Sequence, residues 1–163
     1  MILYHGSTVV VKNPKILRDD KGRDFGYAFY LTPIEEQAIS MAKRKKEMDK
    51  INGINSKSVV NIYEWDENIE NLIFKVFKET NEEWVDLIVS CRKKPNFNHG
   101  FDIVEGKIAD DKVGVSVTLY INGFIDKPEL IKKLKYQKIN NQIAFCSDKS
   151  LKGIKFIKSY EVK

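Results

Sequence analysis

Residues 27–50, YAFYLTPIEEQAISMAKRKKEMDK, hold the clearest local signal in the chain. A short strand rich in aromatics ends at Tyr30, and Thr32 stands where a helix cap belongs. Pro33 falls at the first helical position, where its missing N–H leaves nothing unsatisfied, and Glu35 completes a capping box. The spacing predicts a helix that starts at Pro33. Ile34, Ala38, Met41 and Ala42 form its inward stripe, and KRKKE at 43–47 stays in water.

Working outward, MILYHGSTVVV at 1–11 reads as a strand interrupted or ended by Gly6 and Ser7. Pro14, Gly22 and Gly26 make 13–26 mostly loop. VVNIYEW at 59–65 and NLIFKVF at 71–77 read as strands. Thr80 and Glu83 form a capping box for a helix whose face is Trp84, Leu87, Ile88 and Cys91. FDIVEGKIA at 101–109 is a further strand. DKVGVSVTLYING at 111–123 favours strand by propensity, yet Val113, Val117, Tyr120 and Ile121 also fit a helical face, and both readings stay open. Asp126 and Pro128 start a short helix over 128–138, and NQIAFC and IKFIKSYEV close the chain as strands. Six or seven strands with three or four helices make an α+β chain, read as one domain over residues 1–163.

The 163 residues carry 42% hydrophobic and 31% charged side chains, a mixture that folds. No apolar run is long enough to span a bilayer, and the N-terminus lacks the layout of a signal peptide. Cys91 and Cys146 are widely spaced in apolar segments and read as buried, reduced thiols. The expected compartment is therefore the cytoplasm, with no membrane contact. The net charge of +5 comes mostly from scattered lysines and is weak evidence for a polyanionic partner; its densest cluster, KRKK at 43–46, either meets phosphates or forms a solvated helix face, and the solvated face is the commoner outcome. Two histidines and two cysteines at positions 5, 99, 91 and 146 give no metal-site spacing. Neither glycine-rich phosphate motif occurs, and Ser7 with His5 lacks the third partner of a nucleophile and base. Trp65 and Trp84 read as core and His99 as a loop residue.

LYHGST at 3–8 and GYAFYLT at 26–32 both place small and polar or aromatic residues at strand ends, where sites collect. In this pattern the chain resembles the NAD-binding half of the ADP-ribosyltransferases of the diphtheria toxin and poly(ADP-ribose) polymerase lineage. It is also similar, over residues 2–158, to a family of small bacterial proteins in which YHGS, FYLT, ADD and a late QI.F segment recur in this order. The resemblance implies a split β-sheet core flanked by short helices, with NAD across the cleft as co-substrate and no metal. An aromatic face at Tyr30, with Tyr27 or Phe29 beside it, suits a flat nicotinamide ring. The Gly6 backbone and the Ser7 hydroxyl suit its carboxamide. His5, by the resemblance, hydrogen-bonds the adenosine ribose. Met41 stands where relatives carry a second tyrosine, and it either makes a sulfur–aromatic contact or is plain core.

Catalysis in such enzymes resembles glycoside cleavage through an oxocarbenium-like ribose. Where relatives place a glutamate on a late strand, this chain has Gln142. Its amide orients a ribose but carries no charge and takes no proton. Asp110 and Asp111 either supply a carboxylate or simply cap a helix. The implied activity is release of nicotinamide from NAD and transfer of ADP-ribose to a protein or nucleic-acid acceptor, with His5, Tyr30 and Gln142 as catalytic residues. Relatives of the small bacterial kind resemble toxins of toxin–antitoxin pairs, which implies a small antitoxin partner. NAD hydrolysis without an acceptor, a catalytically weakened NAD- or nucleic-acid-binding module, and a basic RNA-binding protein stay open beside it.

Overall fold

Strand-favouring runs build two sheets. The first has the order β1-β3-β7, all antiparallel, from β1 (Ile2–Ser7), β3 (Val59–Trp65) and β7 (Ile154–Glu161). The second has the order β2-β6-β5-β4, from β2 (Phe29–Leu31), β6 (Asn140–Phe145), β5 (Ile103–Ile108) and β4 (Phe74–Val76); β4 runs parallel to β5 and the other pairs are antiparallel. The structure, a computed structural model, describes residues 1–108, 111–134 and 140–163. The architecture is α+β, with two sheets and five helices among the described residues.

Side-chain alternation along the strands sets the layers. Leu3, Tyr63 and Trp65 of the first sheet meet Phe29, Leu31, Ile103, Ile143 and Phe145 of the second in one buried cluster. The opposite face of the first sheet, through Tyr4, Val60 and Ile62, packs on Ala38 and Ile39 of helix α1 (Glu35–Ile51). The opposite face of the second, through Tyr30, Val104 and Ala144, packs on helices α2 (Glu82–Lys93), α3 (Asp111–Ile121) and α4 (Lys127–Leu134). Trp84 anchors that layer, fully buried with its indole N–H donating to the Lys107 carbonyl at 2.8 Å. A short helix, α5 (Asp148–Leu151), precedes β7. No described helix is long and apolar enough to cross a membrane.

Several expectations about element ends change. Helix α1 begins at Glu35 with Ile34 at the cap position and no side-chain cap. Thr32 is still strand-like, because its backbone N–H and C=O both bond Tyr4. Helix α2 is capped by Asn81, whose side chain accepts from the Trp84 N–H, rather than by Thr80. The strand expected over 71–77 is only Phe74–Val76. The undecided stretch after residue 110 is helix, and its Val117 packs into the α2 layer. The two cysteines are free thiols, Cys91 buried and Cys146 half-buried, and burial pushes both up to about 12.

Candidate functional site

Among the described residues, one backbone bridge joins the two sheets edge to edge. Tyr4 of β1 exchanges backbone hydrogen bonds with Thr32, just past β2, at 2.8 and 3.0 Å. The same antiparallel register carried onward would set Gly6 opposite Tyr30, but the pairing stops after that one bridge. Side chains take over instead. The His5 imidazole donates from Nδ1 to the Tyr30 carbonyl at 2.8 Å, and the Lys45 ammonium of α1 donates to the Gly6 carbonyl, also at 2.8 Å. Because N–H and C=O directions repeat every second residue, the Gly6 peptide edge faces the same side as that of Tyr4, away from β3 and into the gap.

Gly6 is glycine for a packing reason. A Cβ there would lie 2.1 Å from the Ala38 carbonyl oxygen and 2.7 Å from the Ala42 nitrogen, inside the backbone of α1. Its missing side chain therefore brings α1, and Lys45 with it, against the open edge of β1.

Electrostatics follow from this enclosure. The His5 imidazole is pushed down to about 3, first by burial and then by the nearby Lys45 charge, against the opposing pull of the Tyr30 carbonyl. It is neutral at any ordinary pH. With Nδ1–H committed to a carbonyl, Nε2 is left as a pure acceptor, suited to a hydroxyl donor. Its ring leans on Phe29 with centroids 4.7 Å apart. The Lys45 amine is lowered to about 8 by burial and then by the positive charges of Arg23 and Lys21.

The gap widens into a cleft of about 490 Å³, within the usual range of small-molecule sites. Tyr4, His5, Gly6, Tyr30 and Gln142 line it from the strands; Lys21, Arg23, Arg44, Lys45 and Arg92 bring positive charge from the 21–24 loop, α1 and α2. Asp24 is the acidic residue among the lining side chains, and its carboxylate receives the Arg92 Nε at 2.7 Å. Arg23 is held by Asp19 through two bonds of 2.6 and 2.8 Å. Gly22 lets the loop lie on the end of α2, since a Cβ there would meet the Arg92 carbonyl oxygen at 2.5 Å. A second cavity of about 680 Å³ beside Trp65 and Gly153 is larger, but Glu64, Asp66 and Glu67 balance its Lys152 and Lys155.

Of the residues singled out from sequence, His5, Gly6, Tyr30, Met41 and Gln142 line this one cleft. Tyr30 holds its hydroxyl in a fixed position, donating to the Gly26 carbonyl at 2.7 Å and accepting from the Phe25 N–H at 3.3 Å. Gln142 arrives through the β2–β6 register, which pairs Leu31 with Ile143 and so puts Gln142 opposite Thr32. The Thr32 hydroxyl lies 3.0 Å from the neighbouring Asn141 carbonyl. Ser7 and Tyr27 are not brought to the lining. Ser7 is buried, with its oxygen accepting from the Val9 N–H at 3.3 Å. Asp110 lies outside the described residues, and Asp111 opens α3. His99 is a loop clasp, its ring bonding the Phe25 carbonyl at 3.1 Å.

Most of the cationic lining escaped the sequence reading. KRKK at 43–46 is not wholly wet, because Arg44 and Lys45 face the cleft with Gln37, Ala38 and Met41. Those positions recur at i, i+1, i+4, i+7 and i+8, a helical stripe that the sequence already contained. No curated protein and no solved structure matches the chain. One family model matches, over residues 1–156, and the chain accordingly belongs to the family described as protein of unknown function (DUF3990).

Proposed function

We propose that the cleft binds NAD and that the protein is an ADP-ribosyltransferase built on a split-sheet core of that lineage. The observation that carries this reading is the convergence of His5, Gly6, Tyr30 and Gln142, from segments 25 to more than a hundred residues apart, on one cleft with a positively charged wall. The residues fit the co-substrate part by part. The Gly6 peptide edge offers an N–H and a C=O, the pair that a carboxamide requires, once Lys45 gives up its bond to that carbonyl. Tyr30 gives an aromatic face whose hydroxyl is already bonded, so stacking costs it no desolvation. His5 Nε2 accepts from a ribose hydroxyl. Lys21, Arg23, Arg44 and Arg92 suit a diphosphate through charge-assisted hydrogen bonds.

Bound NAD supplies a glycosidic bond whose departing group, neutral nicotinamide, leaves positive character on the ribose. Gln142 orients that sugar from within β6 without adding charge. Tyr30 shields one face of it from water, and the neutral state of His5 avoids placing a second cation beside it. The acceptor is a macromolecule, and a small neutralising partner protein follows from the family resemblance alone.

The test is incubation with NAD labelled in its adenylate moiety, together with bacterial lysate, for wild type, Tyr30→Ala and Gln142→Ala. Nicotinamide release and a labelled acceptor in wild type, both reduced at least tenfold in Tyr30→Ala, are expected. The absence of both in wild type contradicts the reading. A second reading, an NAD-binding module without turnover, is favoured by the uncharged amide of Gln142; it predicts thermal stabilisation by NAD with no nicotinamide released.

A further inference from the structure

Lys45 is a nucleophilic cleft residue whose chemistry the reading above leaves unused. It is a half-buried amine on α1, its Nζ is 2.8 Å from the Gly6 carbonyl oxygen, and the described residues give it no carboxylate partner. Arg23 answers to Asp19 and Arg92 to Asp24, so the positive charge at Lys45 is uncompensated. An uncompensated ammonium in an enclosed, already cationic space relaxes most simply by giving up its proton.

Apart from Lys45 itself, the described residues of the cleft offer no base. Gln142 takes no proton, His5 has its Nδ1–H fixed and its basicity suppressed, and Asp24 is bonded by Arg92. An alcohol or water entering this space would find only the Lys45 amine to deprotonate it. The amine needs no such help as a nucleophile, because it brings its own lone pair.

We propose that Lys45 is an acceptor of the ADP-ribosyl group, so that the protein modifies itself inside its own cleft. This rests on the NAD-dependent transfer reading and names the class of acceptor, a primary amine. The neutral Nζ leaves the Gly6 carbonyl and attacks the anomeric carbon. A C–N bond forms there as the bond to nicotinamide breaks, the bonding pair departs with neutral nicotinamide, and Nζ releases one proton to solvent. No oxidant, reductant or further reactant is required. Lys45 is faced by Arg23 and Lys21 from the 21–24 loop and by neutral His5 and the Gly6 carbonyl from β1. With the amine titrating at about 8, roughly a tenth of it is neutral at pH 7, on the order of a hundredfold more than for an ordinary lysine.

The experiment uses the full chain with NAD and no lysate, and reads intact mass, peptide mapping, nicotinamide release and thermal shift. Wild type gains the mass of one ADP-ribosyl group at Lys45, at a rate that rises about tenfold per pH unit up to about 8 and then levels. Lys45→Arg keeps the charge and the fold, checked by its circular dichroism, and loses the adduct by about a hundredfold or more. Lys46→Arg, on the exposed side of the same helix, labels like wild type. NAD-induced stabilisation with Lys45 unmodified, with or without nicotinamide release, overturns the capture step. Failure of NAD both to stabilise the protein and to release nicotinamide overturns the transfer reading and the capture step together.

Discussion

The two walls of the cleft are made in different ways. The strand wall, His5, Gly6, Tyr30 and Gln142, comes from strands whose backbone directions are fixed by hydrogen-bond ladders. The cationic wall, Lys21, Arg23, Arg44, Lys45 and Arg92, comes from a loop and two helices stacked against those strands. The first wall offers shape and directed hydrogen bonds, the second offers charge. They are joined at Gly6, where the absence of a Cβ lets a helix backbone come within contact of a strand. The lesson is that recognition geometry and binding charge are separately encoded here, and substitutions should separate them.

The largest expected effect concerns the strand wall. Above about pH 6.5 the His5 imidazole is neutral in both folded and unfolded chains. As pH falls from 6.5 towards 3, the unfolded chain takes up a proton that the folded one refuses, so stability is full above this window and lost within it. The loss reaches roughly 5 kcal/mol at most. His5→Gln should flatten this segment of the curve when urea denaturation is followed against pH, and an unchanged slope would dissolve the enclosure of the imidazole.

Gly6→Ala comes next. Its new Cβ meets the Ala38 carbonyl, so α1 must shift. We expect about 3 kcal/mol of destabilisation in denaturant titration, together with loss of NAD-induced stabilisation. Wild-type stability in this variant would mean that the two walls are not joined there.

Charge variants sharpen the comparison on the other side. Lys21→Gln should weaken NAD binding about tenfold at low salt, a difference that shrinks as salt rises, while leaving the urea midpoint unchanged. Tyr30→Phe should have the smallest effect. Losing the bonds to Gly26 and Phe25 costs about 1 kcal/mol of stability while the stacking face remains, so NAD affinity measured by calorimetry should fall less than in Lys21→Gln.

The strand wall was largely legible in the sequence and the cationic wall was not. LYHGST and YAFYLT are contiguous, and their small and aromatic residues at strand ends mark a site before any packing is known. Even so, Gly6 was read as room for a ligand, whereas its missing Cβ makes room for α1. Ser7 was assigned beside Gly6, but alternation turns it inward, where its oxygen serves Val9. The cations look ordinary one by one. Lys45 sits in a run whose neighbours Lys43 and Lys46 are exposed, and only the angle of α1 on β1 turns Lys45 towards Gly6. Arg92 lies about seventy residues from the loop it joins, a separation that no local pattern spans. Thr32 was read as a helix cap because its motif is complete; Tyr4 claims its backbone from another strand, and tertiary pairing outweighs a local capping signal.

The most direct measurement is a titration of NAD into the isotopically labelled protein, observed through its backbone amides and the Lys45 side chain. The account predicts that the Gly6 amide resonance moves most, with His5 and the Lys45 amine following, as the Gly6 carbonyl exchanges its lysine for a carboxamide. A Gly6 resonance that stays fixed while shifts gather around Trp65 and Gly153, or nowhere at all, would contradict it.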